Sequence, residues 1–329
     1  MRCRILGKWL LSITCMYALG FPAAAHANGG SGGIDRGGRG GAHGGHAAHG
    51  GPEVPERNVG IEVIGVGDSK SVLGNASVRT TGVLIETEYE QNYKVFSLNF
   101  ERWQYDWTNP QDLPFVSGTA ADPWNNFYTV QLGFEYEQEI NQKWELYYYI
   151  EAESTFEREM SNSNEYEIGM DIDFEANKDW VFVLNFNYEY LDSEGGELGM
   201  DMEIEWKPHN QKGWSGVFEV SSEFPESSLT YHFNKSFSTS FFLGEGGSNT
   251  VRLSDTSPVT GMQGGYLEDE FRRAGVRFSF HWGHESYLSF SIENNFDRRM
   301  TFVDKSGNIE VDYAFKDVMG ASLYFSYEF

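Results

Sequence analysis

Three stretches of the chain, YEIGMDIDFEA from Tyr166, WVFVLNFNYEY from Trp180 and LGMDMEIEW from Leu198, put an apolar residue at nearly every second position. In an extended chain successive side chains point to opposite faces, so this period describes strands with one apolar and one polar face. Tyr166, Ile168, Met170, Ile172 and Phe174 share one face; Glu167, Asp171, Asp173 and Glu175 share the other. From about Val59 to Phe329 the sequence is built of such runs, about eight to thirteen residues each, with no competing helical period of 3.6.

A soluble sandwich also alternates, and two such sheets could bury their apolar faces against each other. Here one face is almost wholly apolar and the other crowded with carboxylates, which fits a closed barrel whose apolar face meets lipid. The mean hydropathy of −0.47 is consistent with that, since only alternate residues touch lipid. Trp144, Trp180, Trp206, Trp214 and Trp282 flank the short connections INQK, ANKD, KPHNQKG (on both sides) and GHES, whereas Trp103, Trp107 and Trp124 gather around one long connection. Amphipathic rings favour the membrane–water interface, so the short turns and a tryptophan belt mark one rim and the longer loops the other.

The predicted fold is all-β: a transmembrane antiparallel up-and-down β-barrel of about 14 strands, within 12–16. The strands fall near 59–67, 76–89, 93–105, 125–138, 143–155, 165–175, 180–190, 197–207, 213–222, 227–234, 237–244, 271–282, 286–299 and 318–329. External loops lie near 68–75, 106–124, 156–164, 191–196, 223–226, 245–270 and 300–317. Both ends share the short-turn side only if 57–67 is a first strand. The segment 300–313 must also rise beyond the membrane as a hairpin around Lys305-Ser306-Gly307-Asn308.

Residues 1–27 read as a signal peptide: basic Arg2, Arg4 and Lys8, an apolar Trp9–Phe21 too short to span a bilayer, and Ala25-His26-Ala27 for cleavage. Thr14 is a poor lipobox residue before Cys15. Cys3 and Cys15 are the only cysteines, so the processed chain carries no disulfide. Residues 28–56 are a Gly- and His-rich flexible periplasmic linker, leaving 57–329 as the barrel. His43, His46 and His49 could hold a transition metal loosely, although a solvated linker that merely carries histidine is the favoured reading. The net charge of −25, from 49 acidic and 24 basic side chains, argues against nucleic acid and for cations or basic partners.

Three segments carry a resemblance: IEVIGVG leading through a Gly-containing loop into a strand of small and apolar residues, FNKSFSTSFFLGEGG leading through a variable loop to LEDEFRRAGVRFSF, and the hairpin TFVDKSGNIEVDY stepping through Lys316-Asp317 into MGASLYFSYEF. With these the chain resembles an uncharacterised family, a domain of unknown function, of Gram-negative outer-membrane β-barrel proteins. The likeness spans roughly 57–329 and is one of rhythm more than strict motif. Unusually acidic strands and the His/Gly tether depart from it. It implies a fold and a location and brings no catalytic residues.

With the apolar face outward, the lumen receives Glu86, Glu88, Glu135, Glu137, Glu145, Glu151, Glu153, Glu167, Asp171, Asp173, Glu189, Asp201, Glu203, Glu205 and Glu219, with Arg277 the clearest inward base. Such a tube concentrates cations, which predicts a cation-preferring pore or uptake channel without cofactors. A closed structural barrel with a hydrogen-bonded polar interior has the same signature. A membrane-embedded hydrolase (lipase, deacylase or protease) is disfavoured. His209, His281 and His284 sit at the turn rim, His232 has no identifiable Ser or Asp partner, and no Gly-x-Ser-x-Gly occurs. Expected partners are outer-membrane lipid and lipopolysaccharide, small cations and the barrel-assembly machinery, read by Leu323, Phe325, Tyr327 and Phe329. Both termini are expected in the periplasm. Deleting Phe329 is expected to impair insertion, measured as loss of surface-exposed protein and gain of periplasmic aggregate; normal surface levels would count against that role.

Overall fold

The computed structural model describes residues 56–113, 116, 122–192, 195–208, 212–220, 224–259, 262–282, 286–305 and 309–329. The expected signal peptide, nearly all of the linker with His43, His46 and His49, and the turn at Ser306-Gly307-Asn308 lie outside them.

Alternation becomes strand in every expected place. The elements are β1 (Glu56–Lys70), β2 (Ser77–Glu90), β3 (Lys94–Thr108), β4 (Asn126–Asn141), β5 (Trp144–Phe156), β6 (Asn164–Asn177), β7 (Trp180–Leu191), β8 (Gly195–Trp206), β9 (Gly213–Val220), β10 (Ser227–Asn234), β11 (Phe237–Arg252), β12 (Tyr266–Trp282), β13 (Ser286–Val303), β14 (Ile309–Ala314) and β15 (Val318–Glu328). Each strand from β1 to β13 pairs antiparallel with its sequence neighbours. β15 closes the ring by pairing with β1, from Asn58↔Glu328 to Val66↔Gly320, and with β13, from Tyr287↔Ser326 to Asn295↔Val318. Every strand of the ring, β1 to β13 and β15, therefore has two partners, as a sheet in hydrocarbon requires. β14 pairs only with the far end of β13, from Arg299↔Ala314 to Val303↔Ile309. It is the returning arm of the protruding hairpin, so the barrel has fourteen strands and one extension.

The outward face is apolar. Ile61, Val63, Ile85, Leu98, Leu132, Ile150, Ile168, Phe241, Phe290 and Leu323 are all exposed. In water that surface would be a large liability; in lipid it is the matched face. At the turn end Trp144 stacks on Phe174 at 4.5 Å, Trp180 on Trp206 at 6.2 Å and Trp214 meets Tyr231 at 5.0 Å. Phe329 lies at the same end, its amide donating to the Arg57 carbonyl.

The loop end departs from the expected picture. The segments 106–124 and 245–270, expected as external loops, are in part strand: β3 runs on to Thr108, β11 to Arg252, and β12 begins at Tyr266. Their inner sides are apolar, so the inward face, expected to be crowded with carboxylates, changes character at this end. Val78, Tyr105, Phe127, Val251, Leu267, Met300 and Phe302 point inward and are buried. The connections fold over them: Leu113, Val116 and Trp124 after β3, and Leu253, Val259 and Met262 after β11. An isolated bridge joins Val116 to Val259. Trp124, 2% exposed, stacks on Phe127, meets Trp107 edge-on at 5.1 Å and lies 5.9 Å from Phe302. These residues make an apolar plug, a small protein core held by the tall side of the wall.

The wall is uneven. β9 and β10 are eight residues each, whereas β11, β12 and β13 have 16, 17 and 18. Above the short hairpin β11 has no β10 to pair with; it crosses instead to β5, where Arg252 pairs with Phe156 and the Glu157 amide donates to the Arg252 carbonyl at 3.0 Å. Buried Arg252 then meets Asp255 at 2.9 Å and Glu159 at 3.5 Å. The Glu157 carboxylate accepts the Ser254 amide at 2.9 Å, and burial raises its pKa. Trp124→Ala is expected to cost about 3–5 kcal/mol by opening a cavity in the plug. The check is the temperature at which the unheated, fast-migrating gel band converts to the unfolded one; an unchanged temperature would contradict the plug.

Candidate functional site

Period two delivers the inward side chains, and cross-strand pairing sorts them into rows. Across β4 to β8 one row reads Gly133, Glu151, Glu167, Glu189, Glu197, each residue the register partner of the next. Two residues toward the turns, the row is Glu135, Tyr149, Gly169, Asn187, Gly199; then Glu137, Tyr147, Asp171, Asn185, Asp201. The next row includes Glu145, Asp173, Val183, Glu203 and Glu219. Glu88, Glu86 and, beyond the row above, Glu153 complete the expected set, with Glu205 one row nearer the turns.

These carboxylates are held by specific donors. Tyr149 Oη and Asn187 Nδ2 both donate to Glu167 Oε1, at 2.8 and 2.9 Å. Asn185 Nδ2 bridges Tyr149 Oη and Asp171 Oδ1. Gln131 Nε2 donates to Glu151 at 2.8 Å and Thr155 Oγ1 to Glu153 at 2.9 Å. Tyr324 Oη donates to Glu86 at 2.8 Å, the Glu226 amide to Glu219 at 2.8 Å, and Lys207 pairs with Glu205. Charge-assisted bonds of this kind fix rotamers as well as lower energy.

Further groups on this face went unassigned from sequence. Glu101 and Glu293 are 7% and 4% exposed, and their signal was present: Phe100 and Ile292 beside them are plainly outward. Arg273 joins Arg277 on β12, the two guanidinium groups lying 5.8 and 5.1 Å from the Phe242 ring. Arg298 had no readable signal. At the bulge, Asp297 and Arg298 together stand against Phe271, between the pairs Glu270↔Arg299 and Arg272↔Phe296. Asp297 adopts φ of 53°. The extra residue reverses the phase of β13 and turns Arg298 inward beneath the plug, where it grips Asp269 through two bonds of 2.6 and 2.9 Å. Tyr105 Oη donates to the same carboxylate.

His232 does have a partner, contrary to expectation: its Nε2 lies 2.9 Å from Ser215 Oγ, because β9 and β10 put the two on adjacent inward positions. Among the described residues no carboxylate hydrogen-bonds this imidazole. His209 and His284 lie outside the described residues. Among the described residues no three His, Cys, Asp or Glu side chains converge as a metal centre. Leu323, Phe325, Tyr327 and Phe329 are on the outward face, 40–61% exposed.

No family model matches the sequence, and no curated protein matches it. Among solved structures the chain is similar to the KdgM porin, with 10% identity and a TM-score of 0.34 over 82% of this chain and 99% of the other. It is similar to the P. putida toluene transporter TodX, at 8% and 0.42 over 84% and 90%. LpxR from Salmonella typhimurium gives 8% and 0.34 over 82% and 99%. At such scores these likenesses carry nothing about solute or activity.

The Arg298–Asp269 pair generates a prediction. Asp269→Asn leaves a buried guanidinium without its counter-charge and is expected to cost about 3–5 kcal/mol, whereas the apolar pair Asp269→Leu with Arg298→Met recovers most of it. Band-conversion temperatures of the variants check both; equal losses in the two would contradict the assignment.

Proposed function

We propose that this barrel is an outer-membrane channel of a Gram-negative bacterium that prefers cations, with both termini in the periplasm. The observation that carries it is the uneven charge of the inward face: carboxylates in successive rows on β2 to β9, against Arg273 and Arg277 on β12. In a narrow tube with low-dielectric walls such rows attract cations and repel anions. The plug draws no described residue from β6 to β10, so that side of the mouth supports an off-centre path.

A second reading has its own support. The apolar plug favours a closed barrel whose polar interior is structural, and a plugged barrel of this size would be stable without conducting.

Purified barrel in a planar bilayer under a KCl gradient separates the two. The expected outcome is stepwise conductance with a reversal potential shifted toward the K⁺ value. Glu151→Gln, Glu167→Gln and Glu189→Gln together should move that potential toward zero. Repeated reconstitutions without steps would leave the closed barrel as the correct reading.

A further inference from the structure

Beside the closing strands, toward the turn end, the outward wall is hollowed. A groove of about 700 Å³ is lined by Arg57, Thr87, Phe96, Leu98, Leu132 and Phe329. That volume falls within the range of small-ligand pockets, about 300–1,000 Å³. Register accounts for the hollow. Val59, Thr87, Leu98 and Leu132 are successive partners across β1 to β4, and the row nearer the turns is Arg57, Tyr89, Phe96 and Phe134. Thr87 is the short side chain among longer ones. Its hydroxyl donates to the Leu98 carbonyl at 3.0 Å, so its polar group is satisfied within the wall. Phe96, Leu98, Leu132 and Phe329 are 49, 48, 56 and 61% exposed, which leaves an apolar trough open to the bilayer.

A cation stands at the turn end of this trough. Arg57 shares the outward phase of Val59 and Ile61, and its guanidinium lies 5.9 Å from the Tyr89 ring. Among the described residues no side-chain carboxylate pairs with it. The nearby acids Glu56, Glu88, Glu90 and Glu328 occupy the alternate positions of β1, β2 and β15, which belong to the inward face. An arginine that merely reaches for interfacial water would explain the cation and leave the hollow at Thr87 unexplained.

We propose that this groove holds one glycerophospholipid, its phosphate on Arg57 and an acyl chain along Thr87, Leu98 and Leu132. An anion on the guanidinium and a chain in the trough match the two halves of the groove. Phospholipid is preferred to lipopolysaccharide because the turn end is read as periplasmic, where the inner leaflet is phospholipid. The preference for cations plays no part. Bound there, the lipid covers the turn end of the closing ladder at Phe329.

Native mass spectrometry of the whole purified barrel in mild detergent, with stepwise addition of phosphatidylglycerol, tests the site. One lipid is expected to bind well before a second. Diacylglycerol, which lacks the phosphate, should bind at least tenfold more weakly. Arg57→Gln and Thr87→Phe should each weaken the first step at least tenfold. Arg79→Gln, at the loop end where Arg79 pairs with Asp68, should not. Each variant is first shown to keep the unheated, fast-migrating gel band, and Arg57→Gln alone suffices if Thr87→Phe does not fold. Phosphatidylglycerol should also raise the band-conversion temperature of the parent and not that of Arg57→Gln.

Binding without a preferred first step, or indifferent to Arg57 and Thr87, overturns the site, as does equal binding of diacylglycerol. Tighter first-step binding of lipopolysaccharide that Arg57→Gln abolishes overturns the choice of phospholipid, and with it the periplasmic placing of the turn end. Phospholipid binding in a barrel that never conducts would uphold the site and remove the channel.

Discussion

Everything in this molecule depends on the closing ladder between β1 and β15. In hydrocarbon an unpaired strand edge exposes a row of amide and carbonyl groups that nothing can solvate. Pairing from Asn58↔Glu328 to Val66↔Gly320 removes that edge and makes the sheet a tube. Only after closure does alternation acquire an inside and an outside. The same ladder sets the rows, since each inward residue meets whatever its neighbours' registers bring beside it.

Closure also explains why the two ends of the barrel differ. At the turn end short connections and stacked aromatic rings hold the strands level. At the loop end the strands run to different heights. β11 outlasts the short β9–β10 hairpin, and its backbone finds a partner at Phe156 across the opening. The connections after β3 and β11 then fold inward over Val78, Phe127, Leu267 and Phe302, forming a plug by the ordinary rules of a water-soluble core. The buried Arg298–Asp269 pair lies at the junction of this apolar plug with the polar interior below.

Much of the fold was legible because one signal dominated. Tyr166, Ile168, Met170 and Ile172 can share a face only in a strand, and the acidic residues between them can only lie opposite. The positions of Glu167, Asp171 and Glu189 on that face follow from the same count. Where the count failed, backbone irregularity was the cause. Arg298 is out of phase because of the Asp297 bulge, and a bulge leaves alternation on either side of it intact. Val78 reads as a wall residue like any other, since an inward apolar position looks the same in sequence as an outward one after a one-residue shift, and Phe302 reads only as part of the protruding hairpin. Ser215 and His232, seventeen positions apart, meet only through the β9–β10 register.

The sequence alone determined the strands, their faces and their order around the ring. Each of these follows from local periodicity and from the rule that backbone in lipid must be paired. Tertiary structure decided which carboxylates stand side by side, where the plug sits, and which side of the mouth it leaves uncovered. Those features depend on register, strand height and a bulge, and each is set by contacts between residues distant along the chain.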